Sequence, residues 1–208
     1  MFRLPSLSLA LIVALIGTSS TVLAETPLKL AEVSRQLYDA GVEARDPLLV
    51  IAAAKLRRGL GIEQTDRVAE GGTAGDGPFD AAAMLDTAEK LAAGDPLMEG
   101  LIEDIRAERT KGVTNGPVYN IAQIGGGRTD TYRAVPFDGG KYAEIYVEAR
   151  DSSDLNLKVF DAQNRLVCSD TDSSAIAYCG WQPRSSGNFT IAVENATGRT
   201  VTYNLITN

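Results

Sequence analysis

LNLKVFDAQNRLVCSDTDSSAIAYCGW, residues 155–181, holds alternating apolar runs, turn signals and both cysteines of the chain within one short span. Alternation with period two marks half-buried strands. Reading outward, short runs of this kind recur about every ten residues: Val118 to Ile124, Thr129 to Pro136, Lys141 to Arg150, Leu155 to Asp161, Arg165 to Ser169, Ala175 to Trp181, Asn188 to Glu194 and Thr200 to Thr207. Ala143, Ile145, Val147 and Ala149 share one face of the third; Phe189, Ile191 and Val193 share one face of the seventh. Asp138-Gly139-Gly140, Gln163-Asn164, Ser186-Gly187 and Thr197-Gly198 are turn signals between runs, so an antiparallel β-sandwich is expected. About ninety residues give such a sandwich a small core. A Cys168–Cys179 disulfide would stabilise it by about 3 kcal/mol through loop entropy. A reactive thiol pair is the weaker reading, because the spacing is not C-x-x-C and no basic residue adjoins either sulfur.

Upstream, from about Pro27 to Lys111, the composition shifts to Ala, Leu, Glu and Arg at helical spacing, and four helices are expected. The first runs from Leu28 to Ala44 with Leu30, Val33, Leu37, Ala40 and Gly41 on its core stripe. The second opens at Asp46-Pro47, an N-cap acid followed by proline, and continues through Leu48, Ile51, Ala52 and Lys55-Leu56 to Gly59 and Gly61. Glu63 to Pro78 reads as a surface loop or linker. A third helix follows from Phe79 to Ala93 with Met84, Leu85, Ala88 and Leu91, and a fourth opens at Asp95-Pro96 and carries Leu97, Leu101, Ile102 and Ile105. The two Asp-Pro-Leu openings invite a tandem-hairpin reading, but two units fall short of a stable helical array, so a compact four-helix module is expected. The expected organisation is an export signal at 1–24, a helical module at 25–112, a linker at 113–117 and a sandwich at 118–208.

The export reading rests on Arg3, the apolar run Leu7 to Ile16 and the small-residue ending Val22-Leu23-Ala24. That run is too short to span a bilayer, and the destination is periplasmic or secreted, where a disulfide persists. The whole chain carries a net charge of −7; losing residues 1–24 removes one arginine and no acid, leaving nineteen basic against twenty-seven acidic residues, a net charge of −8. Such a surface repels phosphate backbones, and Lys55-Leu56-Arg57-Arg58 reads as the solvated, dipole-matched end of a helix rather than a nucleic-acid patch. The chain has no histidine, which excludes Ser-His-Asp and Cys-His catalysis, and with the cysteines paired no zinc site is expected.

The string DLNLKVFDAQNRLVCSDTDSSAIAYCGWQPRSSGNFTIAV, with D-L-x-L-x-V-x-D, then C-S-D-T-D, then C-x-W-x-P in order, resembles the bacterial pre-peptidase C-terminal domain over about 118–208. The resemblance implies a jelly-roll-like sandwich, export and an accessory or binding role, in a multidomain α and β chain. In related collagen-binding domains a similar sandwich holds calcium through acidic loops; Asn156 stands where the second acid of the D-L-D-L pattern is usual, which weakens that implication here.

Asp151, Asp154, Asp161, Asp170 and Asp172 are nonetheless the acids that could converge on a hard cation, and Asp151, Asp154, Asp170 and Asp172 form the candidate calcium set. The competing reading is ordinary turn chemistry, in which Asp and Ser bond their own backbone. Carboxylate-based hydrolysis would need two acids across a cleft, and nothing in the sequence specifies one. Gly125-Gly126-Gly127 leads into no helix, so it is a flexible turn rather than a phosphate cradle. Trp181 is expected as a core plug near the disulfide. Tyr142 and Tyr146, opposite Ile145 and Val147, are expected either as an exposed aromatic surface or packed against the helical half. The sequence therefore points to an exported non-enzymatic binding protein with an unidentified protein or polymer partner. No cofactor is expected, and calcium is the alternative.

Overall fold

The computed structural model describes residues 26–75, 80–108 and 116–208, so the expected export segment and most of the expected linker lie outside the described residues. In chain order the elements are α1 (Pro27–Ala44), α2 (Pro47–Gly59), β1 (Glu63–Gln64), β2 (Thr73–Ala74), α3 (Ala81–Ala92), α4 (Pro96–Ala107), β3 (Val118–Ile124), β4 (Thr129–Phe137), β5 (Ala143–Ala149), β6 (Leu155–Phe160), β7 (Leu166–Asp170), β8 (Ile176–Trp181), β9 (Gly187–Asn195) and β10 (Val201–Thr207). All eight expected strands are present. Three of the four helices begin at a side-chain cap: Asp46 accepts from Leu48 and Leu49 N–H, Asp95 from Leu97 and Met98 N–H, and Asp80 from Ala83 N–H, whereas Thr26 ahead of α1 makes no such bond.

The eight long strands form two antiparallel sheets, ordered β3-β10-β5-β8 and β4-β9-β6-β7. Ile145, Val147, Leu157, Val159, Ile191, Val193 and Leu205 pack between them with no residual exposure. A bulge between Tyr132 and Val135 keeps Tyr132, Val135 and Phe137 all buried on the inner face of β4. The helices lie on the outer face of the first sheet, where Leu28, Ala31 and Leu60 meet Tyr146 and Ile206 in a separate apolar cluster. A further cluster joins α2, α3 and α4 through Val50, Ile51, Met84, Leu85, Ala88, Ile102 and Ile105.

Three expectations are corrected and one left open is decided. The buried face of α1 is Leu28, Ala31, Ser34, Arg35 and Gly41, and that of α2 is Val50, Ile51, Ala53, Ala54 and Arg57. Both stripes are rotated from those expected because polar residues, not only apolar ones, face the sheet. Leu48 of α2 is exposed accordingly; on α4 Ile102 and Ile105 are buried while Leu97 is exposed. Arg57 is not part of a solvated helix end; it is buried. Residues 63–75 are not a free loop: β1 runs parallel to β3 and β2 antiparallel to it, while Glu70 N–H donates to Thr131 C=O of β4 at 2.8 Å. The segment thus covers the opening between the two sheets at an edge whose backbone groups would otherwise be unpaired. Finally, Tyr146 is fully buried under the helices, whereas Tyr142 remains 49% exposed.

Candidate functional site

The strand AEIYVEA, residues 143–149, alternates small or apolar residues with Glu144, Tyr146 and Glu148, and the helices bury this second face as well. Glu148 is 1% exposed and receives both arms of the Arg57 guanidinium, Nη1 to Oε1 at 2.6 Å and Nη2 to Oε2 at 2.9 Å. Tyr146 Oη donates to Oε2 at 2.8 Å and Asn204 Nδ2 to Oε1 at 3.2 Å. Arg57 also donates from Nε to Ser34 Oγ and from Nη2 to Ala31 C=O, both at 3.2 Å, and Arg35 donates to Ala149 C=O. Two helices are therefore tied to the central strands of one sheet by charge-assisted bonds.

Burial by itself would push the Glu148 carboxyl up; Arg57, Arg35 and the Tyr146 hydroxyl outweigh it and hold the group below the ordinary glutamate value. Burial and the adjacent Glu148 charge push the Tyr146 phenol well above its ordinary value. One group is thus fixed as carboxylate and the other as phenol. This suits a structural clamp, not proton transfer near neutral pH.

Beside the clamp, between the ends of α2 and α3 and the outer face of β3 and β10, lies a cleft of about 320 Å³. Ile62, Ile206, Ala81 and Ala82 line it with apolar surface; Arg58, Asp80, Tyr119 and Asn204 supply its polar groups. Arg58 Nη2 donates to the carbonyls of Arg106, at 3.4 Å, and Glu108. Its Nε is buried without a partner, and it makes no ion pair among the described residues. Asp80 Oδ1 caps α3 through Ala83 N–H at 2.9 Å. Burial, reinforced by the Asp80 charge, raises the Tyr119 phenol, so Tyr119 remains a hydrogen-bond donor.

Sequence reasoning missed this site. Arg57 carried a signal, because it continues the Val50, Ala53, Ala54 stripe at three-and-four spacing. Arg58, Asp80, Tyr119 and Asn204 carried none, since they come from four elements widely separated in the chain.

The sequence-selected acids are placed differently. Asp151 binds Arg199 and the Ser153 hydroxyl, and although burial opposes it these bonds hold its carboxyl below the usual range. Asp161 accepts from Arg165 N–H at 2.9 Å, Gln163 N–H at 3.0 Å and Arg165 Nε at 2.7 Å, closing the β6–β7 turn. Asp170 accepts from Tyr178 N–H of β8 at 2.9 Å. Asp154 and Asp172 contribute backbone carbonyls, to Ala196 N–H and Ser174 N–H respectively, each at 2.9 Å. Leu155 N–H bonds Ser174 C=O, which brings the 151–154 loop and the 171–175 turn to one end of the sandwich. Even so, among the described residues no three His, Cys, Asp or Glu side chains are grouped to hold a metal ion.

Cys168 and Cys179 are disulfide-bonded with a Cα–Cα distance of 5.9 Å, joining edge strand β7 of one sheet to edge strand β8 of the other. Trp181, expected as a core plug, is partly buried and packs at the margin of the core against Phe137 and Phe189, with ring centroids 4.9 and 5.3 Å away. In the glycine run, a Cβ on Gly126 would lie 2.4 Å from the Gly198 carbonyl carbon, so close backbone approach demands glycine there.

No family model and no curated protein matches the chain. Among solved structures, the pre-peptidase C-terminal domain of a collagenase from Bacillus anthracis is similar at 15% identity and a TM-score of 0.37, over 43% of this chain and 87% of that one. A periplasmic inhibitor of g-type lysozyme from Aeromonas hydrophila is similar at 18% identity and a TM-score of 0.35, over 44% of this chain and 84% of that one. A mitogen derived from Yersinia pseudotuberculosis is similar at 12% identity and a TM-score of 0.34, over 44% and 84%. A pre-peptidase C-terminal domain is among the structural neighbours of this chain.

Proposed function

We propose that this chain is an exported, non-enzymatic binding or accessory protein of the bacterial periplasm or exterior, in which a four-helix module at 25–112 is docked on a jelly-roll sandwich at 118–208. The strand orders β3-β10-β5-β8 and β4-β9-β6-β7, in which the first and last long strands are neighbours, support the jelly-roll reading. The disulfide supports export. The observation that carries the binding role is the helix–sheet cleft: it is concave, part apolar, and lined by polar groups with unused bonding capacity beside a rigid clamp. A buried carboxylate and phenol held away from neutral-pH titration support the non-enzymatic reading.

A thermal-shift screen of small polar compounds against the wild type and Ala82→Trp tests it. Ala82 is an exposed residue of the cleft wall, so the indole fills the cleft without entering the core. Compounds that raise the melting temperature of the wild type and not of the variant are expected. Hits that stabilise both proteins equally, or no hits, would remove the cleft as the binding seat.

A further inference from the structure

We infer that the cleft selects a small zwitterion with an apolar side chain, an amino acid or a short peptide, whose carboxylate is met by Arg58 and whose ammonium group is met by Asp80. The inference rests on the cleft being the binding seat and concerns only the class of ligand.

Two opposite charges line this one cleft, and they do not pair with each other. Arg58 has five N–H donors, and among the described residues only Nη2 is used, on backbone carbonyls; Nε is buried, and the unpartnered Nη1 is the nitrogen left open to a ligand. Asp80 uses Oδ1 to cap α3, and Oδ2 has no partner among the described residues. A ligand bearing a single charge would leave one of these groups facing an uncharged or repelling atom in a partly desolvated site, which is costly. A ligand bearing both charges meets both. The apolar wall from Ile62, Ile206 and the methyls of Ala81 and Ala82 lies in the same cleft, where an aliphatic side chain would replace water. The volume, about 320 Å³, is at the small end of the range for ligand pockets and suits one or two residues rather than a polymer chain. The net charge of −7 also disfavours a free anion at long range, whereas a neutral zwitterion meets no such barrier.

The test is calorimetric titration of the full exported chain with L-leucine and leucyl-leucine, alongside N-acetyl-leucine, which lacks the ammonium group, and leucinamide, which lacks the carboxylate. The zwitterions are expected to bind at least about tenfold more tightly than either blocked analogue. In Arg58→Gln the preference over leucinamide disappears, and in Asp80→Asn the preference over N-acetyl-leucine disappears; asparagine still caps α3, so folding is retained. Equal binding of all four probes, or discrimination that survives both substitutions, overturns the zwitterion while leaving the cleft as a binding seat. Failure of the zwitterions to bind a wild type that binds another compound, itself blocked by Ala82→Trp, does the same. Failure of every compound in both experiments overturns the two proposals together.

Discussion

Replacing Arg57 by alanine should release the helices from the sandwich before the sandwich itself unfolds. The Glu148 side chain is fully buried and that of Arg57 is 5% exposed, so the substitution leaves a carboxylate in a dry interior with Tyr146 and Asn204 as its remaining donors among the described residues. Breaking a buried pair from one side costs about 3–5 kcal/mol, a large share of the roughly 5–15 kcal/mol that holds a domain together. With a urea slope of about 2 kcal/mol per molar, the midpoint should fall by about 2 M. Two probes separate the layers: Trp181, the only tryptophan, packs on the sandwich core and reports its packing by fluorescence, and circular dichroism at about 222 nm reports the helices. The two transitions should coincide in the wild type and separate in Arg57→Ala, dichroism first. Arg57→Met combined with Glu148→Leu should recover most of the loss, since well-packed apolar pairs replace buried ion pairs at little cost. The pH profile follows from the sign of the shift. Glu148 is held below its unfolded value of 4.5, so its contribution is present above that pH and is lost as pH falls through the lower folded value. In Arg57→Ala burial raises the same carboxyl above 4.5, so the variant regains stability as pH falls through that raised value; the difference between wild type and Arg57→Ala should be largest near neutral pH and shrink steadily as the pH is lowered. A loss under about 1 kcal/mol, or a double variant as weak as the two single losses added together, would refute the clamp.

Cys168→Ala with Cys179→Ala, which opens a loop of eleven residues' separation, should lower stability by about 3 kcal/mol in urea titration; an unchanged midpoint would show that the strand ladders alone hold the two sheet edges. Burial pushes the Asp130 carboxyl up, against the opposing hydroxyl donation from Tyr203 at 2.7 Å, so the carboxylate form destabilises the fold above its unfolded value of 3.8 and protonation relieves this as pH falls. Asp130→Asn should accordingly melt at or above the wild-type temperature at pH 7, with its advantage shrinking toward pH 4; a variant clearly less stable at pH 7 contradicts that sign. Because Asp151 is held by Arg199 and Asp170 by Tyr178 N–H, millimolar calcium and chelator should leave the melting temperature unmoved, and a rise of several degrees with calcium would place a cation at that end of the sandwich.

Local patterning carried most of the element structure because its signals are short-range. Asp46-Pro47 and Asp95-Pro96 cap their helices through bonds to residues two and three positions away, and period-two alternation in Phe189, Ile191 and Val193 reflects the pleat itself. The helix stripes were misplaced because Ser34, Arg35 and Arg57 are polar, and apolar periodicity is blind to a polar residue whose partner lies elsewhere. Glu148 shows the same limit. On β5 it reads as the wetted side of a strand, yet Arg57, ninety-one positions earlier, makes that side an interior.

The residues of 155–181, with their neighbours, thus determined by themselves the strands, the turns and the cysteine pairing, each set by alternation, turn chemistry or loop length within a few residues. Only the tertiary structure decided which sheet face the helices cover, that 63–75 seals an open sheet edge, and that Arg58 and Asp80 line one cleft. Those outcomes depend on desolvation and on partners brought together from distant segments, and burial of a charge is a property of the assembled layers that no local pattern encodes.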